Sequence, residues 1–243
     1  MLSQQTSERL RVLRANEATY QPTTEIRAAI RSKIGVLVVG ASCQGKNTIM
    51  NEVVRLDKRF KIIGTFVSRP PRNSDHGLPY TYYEHTDAGL APILDKIEQR
   101  RVVQYAVNPY SGFLYGSMLS DYPTEYNIGD YFSSGVEPFR QLGFKAAPAV
   151  SVISPAEEWV PRFTERFPLG HSERVARRDE AIESINWSLS QTVDHTWVVN
   201  RTGQVTEAAM QLINSITSPT SEPNKEAESM ARQAIMAIKE IEI

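Results

Sequence analysis

The sequence predicts an α/β fold built on a mostly parallel sheet with helices on both faces. Short apolar runs rich in β-branched residues alternate along the chain with longer stretches of helical periodicity. The first such run, Ile34-Gly-Val-Leu-Val-Val39, carries no polar side chain, as a strand buried on both faces requires. A glycine-bearing turn and a helix-forming stretch follow at once, so strand, loop and helix come in that order.

Residues 1–33 read as a polar helical extension, Arg-rich in its second half, with helix starts at Ser7 and Thr24. Beyond the strand at 34–39, Asn47 to Leu56 reads as a helix and Phe60 to Val67 as a second strand. Arg69 to Tyr83 is rich in turn formers, and a helix is expected near Ala91 to Gln99. Tyr126–Asp130 and Ala149–Ile153 read as strands, Ala156–Arg166 and Ser172–Leu189 as helices. His195–Asn200 is a last strand and Val205–Ile216 a last core helix. Ser218 opens a Pro-bearing linker, and Glu226 to Ile241 reads as a short amphipathic helix. The chain therefore divides into an extension (1–33), a domain (34–217) and a linker with a C-terminal helix (218–243).

Composition bounds the functions open to such a chain. Hydrophobic residues make up 41% and charged residues 23% of the 243, enough for a sizeable core without metals or disulfides. The net charge of -1 gives no global basic field for nucleic acid or an anionic membrane, so any polyanion site must be local. Cys43 is the single cysteine, which fits a reducing compartment. The polar N-terminus lacks an apolar signal core, and no apolar run approaches the roughly 20 residues of a membrane helix. The expectation is a cytoplasmic protein. The four histidines show no metal-ligand spacing, and no Ser/His/Asp hydrolase arrangement stands out.

Gly40-Ala41-Ser42-Cys43-Gln44-Gly45-Lys46 matches the first seven positions of the phosphate-loop motif G-x-x-x-x-G-K-[ST]. Glycines let the backbone curl so that several N–H groups meet one phosphate, and the following helix adds the positive end of its dipole. Lys46 supplies a point charge for the β- and γ-phosphates of ATP. The eighth position should hold Ser or Thr for Mg²⁺ but holds Asn47; its carbonyl oxygen and the adjacent Thr48 are the metal candidates.

The segments beyond the loop resemble the guanylate kinase family. Ser68-Arg69-Pro-Pro-Arg72-Asn-Ser-Asp75-His-Gly77-Leu-Pro-Tyr80 is similar to that family's T/S-R-x-P-R-x-x-E-x-x-G-x-x-Y, one residue shorter before Gly77. Tyr115-Gly-Ser117 resembles its Y-Y-G-[ST], Arg162-Phe-Thr-Glu-Arg166 its R-L-x-x-R, Val175-Ala-Arg-Arg178 its I-x-x-R and Val198-Val-Asn200 its V-x-N. The resemblance covers residues 34–216 in the family's order. It implies a P-loop kinase-like sheet with a small acceptor-binding insert at about 65–125 and a helical lid at about 160–180. It implies ATP and Mg²⁺ as cofactors and transfer of the γ-phosphoryl group to a monophosphate, GMP or dGMP. By resemblance the nucleotide meets Gly40 to Thr48 and Asn200. Lys46, Arg162, Arg166 and Arg178 serve catalysis, with Arg177 an equal neighbour of Arg178. The acceptor meets Thr65, Arg69, Arg72, Tyr80, Gln104, Tyr115, Ser117 and Asp130. Two arginines three apart in a turn suit a phosphate independently of any family, because guanidinium binds it bidentately.

The base-reading positions depart from the pattern. Gln104 and Phe132 stand where the family has carboxylates, while Asp130 keeps the first aspartate of D-x-D. A carboxylate can accept from two guanine donors together; Gln104 offers one carbonyl and Phe132 only a ring. Losing such groups relaxes or changes base choice. Two alternatives therefore stand beside GMP: another nucleotide or a ribose phosphate as acceptor, or a degenerate kinase-like binding domain. Lys46 and the lid arginines argue against degeneracy.

Overall fold

The computed structural model describes residues 2–72, 75, 77–108, 111–218 and 224–242. Two compact units are present. The first holds the residues through Gly35 with Arg59–Asn127 and Glu137–Ala147; the second holds Val36–Lys58, Ile128–Val136 and the chain from Pro148 onward. The linker beginning at Ser218, and Asn73, Ser74 and His76 of the arginine-bearing turn, fall wholly or largely outside the described residues. No described helix is long and apolar enough to cross a membrane.

The expected sheet has five strands in the order β2-β7-β1-β8-β9. They are β1 (Ile34–Val39), β2 (Phe60–Ile62), β7 (Tyr126–Asp130), β8 (Ala149–Ile153) and β9 (His195–Val199). β1 pairs with β8 in parallel, Leu37 opposite Ala149, and β8 with β9 in parallel, Ala149 opposite His195. Val36 to Val39 are wholly buried, as the uniformly apolar run requires. In the second unit the sheet is accompanied by α3 (Lys46–Leu56), α6 (Ala156–Arg166), α7 (Arg174–Ser190), α8 (Val205–Thr217) and α9 (Lys225–Lys239).

The C-terminal helix is part of that unit's core. Ala227, Ala231, Ala234 and Ile238 recur at alternating spacings of four and three, so they line one helical face. They are buried in one cluster with Ile153, Trp159, Phe163, Ile185 and Trp197. Arg174, buried at the start of α7, donates to the carbonyls of Phe167 and, at 2.9 Å, Glu242.

The first unit carries a second sheet in the order β4-β3-β6-β5. Its strands are β3 (Thr65–Val67), β4 (Tyr80–Tyr82), β5 (Gln104–Val107) and β6 (Leu114–Ser117). β6 runs antiparallel to β3 and β5, and β4 parallel to β3. Here the sequence reading needs correction. Phe60–Val67 is not one strand: it breaks at Ile63-Gly64 and sends β2 and β3 to different sheets. A glycine in a strand pattern weakens the strand and marks such bends. β4, β5 and β6 lie in stretches that showed no strand signal, being short and half polar.

Phe66, Tyr105, Val107 and Leu114 are buried with Leu10 and Leu13 of α1 (Gln4–Asn16) and Leu90, Ile93, Leu94 and Ile97 of α4 (Asp87–Glu98). Gly116 is needed there: a Cβ on it would lie 2.2 Å from Cζ of Phe66 and 2.5 Å from the Gln104 carbonyl. The extension is thus built into the unit. α1 begins at Gln4, earlier than Ser7, because the Ser3 hydroxyl accepts from the Thr6 N–H as an N-cap while the Ser3 N–H and hydroxyl donate to Asp87. Arg9 pairs with Asp95 and Glu98. The short helices α2 (Thr24–Ile30) and α5 (Val136–Arg140) complete the elements.

If α9 belongs to the core, Ile238→Ala should destabilise the protein by about 2–5 kcal/mol, the usual cost of such a truncation in a core. Urea unfolding of the full chain measures it; a change of a few tenths would mean an independent tail.

Candidate active site

The loop between β1 and α3 is shaped by its backbone. Gly45 sits at φ +83, and a Cβ there would lie 2.3 Å from Nδ2 of Asn200, so glycine is required on both counts. The first helical bond of α3 runs from the Ile49 N–H to the Gly45 carbonyl at 3.0 Å. The N–H groups ahead of it have no intrahelical partner and are available to an anion. Lys46 opens the helix. Its ammonium donates to the carbonyls of Gly40 and, at 3.1 Å, Ala41, and lies 3.6 Å from Oδ1 of Asp130.

Loss of solvation pushes the Asp130 carboxyl up; Lys46 pulls it down, Glu180 adds to the rise and Arg177 opposes it. The side chain is 44% open to solvent beside Lys46. Asp130 thus lies beside Lys46, a placement in keeping with the role near Mg²⁺ or its water shell that its position in D-x-D also suggests.

The loop's carbonyls are held by side chains from elsewhere in the unit. The indole N–H of Trp159 donates to Ser42 at 2.7 Å, and the Asn200 amide to Gln44 at 2.7 Å. A guanidinium nitrogen of Arg162 lies 3.5 Å from the Cys43 carbonyl. Burial pushes the Cys43 thiol up despite Arg166, Lys46 and Arg162 nearby, so it is no thiolate nucleophile. Among the described residues, the Gln44 side-chain amide and the Ser154 hydroxyl are buried without a hydrogen-bond partner. Ordered water or a ligand ordinarily satisfies such groups.

The lid arginines are less free than their helical positions suggested. Arg162 pairs with Glu158 at 2.9 Å, and Glu158 also accepts from the Thr202 N–H and hydroxyl at 2.6 Å. Arg166 lies over the Phe167 ring, and its charge acts on the Cys43 thiol. Arg178 bonds its neighbour Asp179 at 2.7 Å, whereas Arg177, held by Glu173 and Glu180, is the arginine whose charge acts on Asp130. The geometry thus favours Arg177 over Arg178. Asn47 and Thr48 lie in the first turn of α3, half-buried and exposed respectively. Among the described residues no group of three or more His, Cys, Asp or Glu could hold a metal. One carboxylate with amide and hydroxyl oxygens is nevertheless the donor set that Mg²⁺ takes when phosphates and water supply the rest, so Asp130, Asn47 and Thr48 fit it.

In the first unit the sheet's register gathers the acceptor candidates. Gln104 is opposite Ser117, Tyr115 opposite both Ala106 and Val67, and Thr65 opposite Tyr80. Thr65, Tyr80, Gln104 and Tyr115 therefore share the face opposite the apolar cluster. Ser117 shares it too but is wholly buried and bonded to the Tyr122 hydroxyl at 2.7 Å, so it supports the sheet and does not reach a ligand. Arg69 lies over the Tyr80 ring at 5.3 Å and interacts electrostatically with Tyr115.

Arg69 is not an open fork. Nη1 and Nη2 donate to Asp75 at 2.7 and 2.8 Å, and Nη1 also reaches the Pro70 carbonyl. Asp75 further accepts from the Arg72 N–H and the Tyr82 hydroxyl, each at 2.8 Å. Burial would push the Asp75 carboxyl up, but these bonds and the Arg69 charge outweigh it and bring it down from 3.8 to about 2.

No family model matches the chain, and no curated protein matches it in sequence. A guanylate kinase from Anaplasma phagocytophilum is similar in structure, with a TM-score of 0.51 at 13% identity, covering 88% of this chain and 98% of that one. A sugar kinase from Janibacter sp. HTCC2649 and a gluconokinase from Sinorhizobium meliloti 1021 each give a TM-score of 0.39, at 16% and 15% identity. They cover 77% and 84% of this chain and 96% and 99% of their own. The similarity to the first establishes the fold: an α/β sheet, mostly parallel and flanked by helices, similar to P-loop kinases.

Sequence reasoning passed over Trp159, Tyr82 and the two unpartnered groups. A signal existed for the first, since a buried indole N–H needs an acceptor.

The Arg69–Asp75 pair predicts a pH limb. Because the folded carboxyl lies near 2 and its ordinary value is 3.8, the pair stabilises fully above about pH 4 and is lost as pH falls toward about 2. The shift corresponds to about 2 kcal/mol. Urea midpoints measured from about pH 5 to about pH 2 should fall less steeply in Asp75→Asn than in wild type.

Proposed function

We propose that the protein is an ATP-dependent phosphotransferase acting on a small monophosphate. The observation that carries this is Lys46, at the first position of a helix, with its ammonium on the Gly40 and Ala41 carbonyls and Asp130 beside it. A lysine so placed can exchange two carbonyl contacts for phosphate oxygens without moving its helix. Gly45 to Thr48 then offer their N–H groups to the same phosphates, and Asn200 bears on the loop from behind. Asp130, Asn47 and Thr48 would hold Mg²⁺, whose charge would offset that of the phosphates.

Phosphoryl transfer spreads charge over the equatorial oxygens, so catalysis is mostly positioning and electrostatics. Lys46 stays on those oxygens through the transition state. Arg166 and Arg177 add positive charge in the same unit, and Arg162 holds Glu158 and the loop. The acceptor's phosphate is taken by Arg69, whose Nε–H is not among its bonds to Asp75, with Arg72 and the hydroxyls of Tyr80 and Tyr115. Gln104 and Thr65, on the same sheet face, would meet the rest of the acceptor.

A guanylate kinase reading has the resemblance and the fold neighbour in its favour. The acceptor end argues for weak guanine selectivity: Gln104 is neutral, Phe132 is 49% exposed and apolar, and Ser117 is sealed in the sheet. The preferred acceptor is thus a monophosphate recognised mainly through its phosphate.

Lys46→Ala should abolish transfer, lowering turnover on the order of 10²-fold or more, with the fold intact by circular dichroism. Near-wild-type turnover would refute the loop's role. A coupled assay of ATP with GMP, dGMP, AMP, CMP, UMP and ribose bisphosphate should give low selectivity for GMP, and Gln104→Glu should raise the GMP-to-AMP ratio of kcat/KM by up to about tenfold. Strong wild-type GMP selectivity, unchanged by the substitution, would mean that other residues read guanine.

A further inference from the structure

Three successive carbonyls of the phosphate loop are each approached by a side chain from outside it. Ser42 accepts from Trp159, Cys43 is approached by Arg162, and Gln44 accepts from Asn200. The two shorter contacts, both 2.7 Å, come from residues with little freedom. Trp159 is wholly buried in α6 and stacks toward Phe163 at 4.9 Å between centroids. Asn200 is buried, and its N–H donates to the Ile153 carbonyl at the end of β8 at 2.8 Å. Neither side chain belongs to the loop or to α3, and neither is a charge that a phosphate would take.

We propose that Trp159 and Asn200 are positioning residues for the phosphate loop: by fixing the Ser42 and Gln44 carbonyls they hold the loop's N–H groups in the arrangement that receives a polyphosphate. The inference deepens the phosphotransferase reading and rests on it. The physical reason is the rigidity of the peptide unit. The C=O and N–H of one peptide lie in one plane and point oppositely, so fixing the Ser42 and Gln44 carbonyls fixes the direction of the Cys43 and Gly45 N–H groups. Between the two anchors Cys43 has φ +69, a conformation costly for a residue with a Cβ, which needs its surroundings to hold it. The absence of a Cβ on Gly45 leaves the space through which the Asn200 amide reaches the Gln44 carbonyl. Arg162 adds a longer, weaker contact to the intervening carbonyl.

The test uses the full chain and two probes, ATP and inorganic tripolyphosphate, titrated by calorimetry against wild type, Trp159→Phe and Asn200→Leu. Phenylalanine keeps a six-membered ring near Phe163 and removes the N–H together with the rest of the indole. Both variants should bind both probes about three- to tenfold more weakly, by the same factor for each probe, as loss of one neutral hydrogen bond from an ordered loop implies. The smaller ring should lower the Trp159→Phe thermal midpoint without ligand, so affinities are read well below it. Unchanged affinities in both variants would overturn the proposal. So would a lowered midpoint with affinities unchanged well below it, since that is what packing alone would give. A wild type that binds neither probe would instead defeat the phosphate-loop reading, and this inference with it.

Discussion

A loop that keeps its N–H groups free for an anion must still place its carbonyls, and much of the second unit follows from that requirement. Residues 40–45 form neither strand nor helix, so their carbonyls are met by Lys46, Trp159 and Asn200. The main chain ordinarily leaves few buried polar groups unmet. Trp159 can serve only because α6 is held in place. Its aromatic column of Trp159, Phe163 and Phe167, with centroids 4.9 and 5.3 Å apart, is buried against α7 and the alanine face of α9. Helices that read in sequence as a mobile cover therefore also serve as a backing for the loop.

The first unit solves a different problem with its four-stranded sheet. One face must be apolar to bury α1 and α4, and the alternation of strand side chains then leaves the other for Thr65, Tyr80, Gln104 and Tyr115. The turn after β3 carries a cation that is nearly buried: Arg69 is 5% exposed. An unpaired charge at that depth would be costly, and Asp75 relieves the cost while leaving the guanidinium directed by a second shell of bonds from Arg72 and Tyr82. Of the two arginines read in sequence, Arg69 is thus oriented in the fold by its own acidic support.

What was legible in the sequence was what strong local patterns encode. The bounds of β1, β7, β8 and α6 agree with the sequence reading, as does the strand–turn–helix order from β1 to α3, because a fully apolar run, a glycine-bearing turn and a marked helical periodicity are strong local signals. The second sheet was not legible. Its strands are three or four residues long, half polar and paired with partners remote in sequence, so no local signal distinguishes them from turns. The same limit applied within the site. Residue type placed Lys46, Arg69 and Asp130, but their partners depend on three-dimensional neighbours: Asp130 stands with Lys46, Ser117 turns inward to Tyr122, and Arg177 is preferred to Arg178 by one position of helical phase. The role of α9 was hidden for another reason, since three alanines on one face are as compatible with a solvated helix as with a tightly packed one.

That alanine face has a consequence for how the chain is made. Small side chains bring a helix backbone close, but they also make it a poor core without the surfaces it covers, and those surfaces are completed early. Trp159, Phe163 and Ile185 leave the ribosome well before Ala227 to Ile238. At about 5–20 residues per second the interval lasts on the order of seconds, during which an aromatic surface stands exposed to the cell. Folding of the second unit accordingly waits for α9, whereas the first unit, whose residues end at Ala147, can close while synthesis continues. The newborn chain thus passes through a stage with one finished half and one open half, and that stage is where chaperones and proteases would meet it.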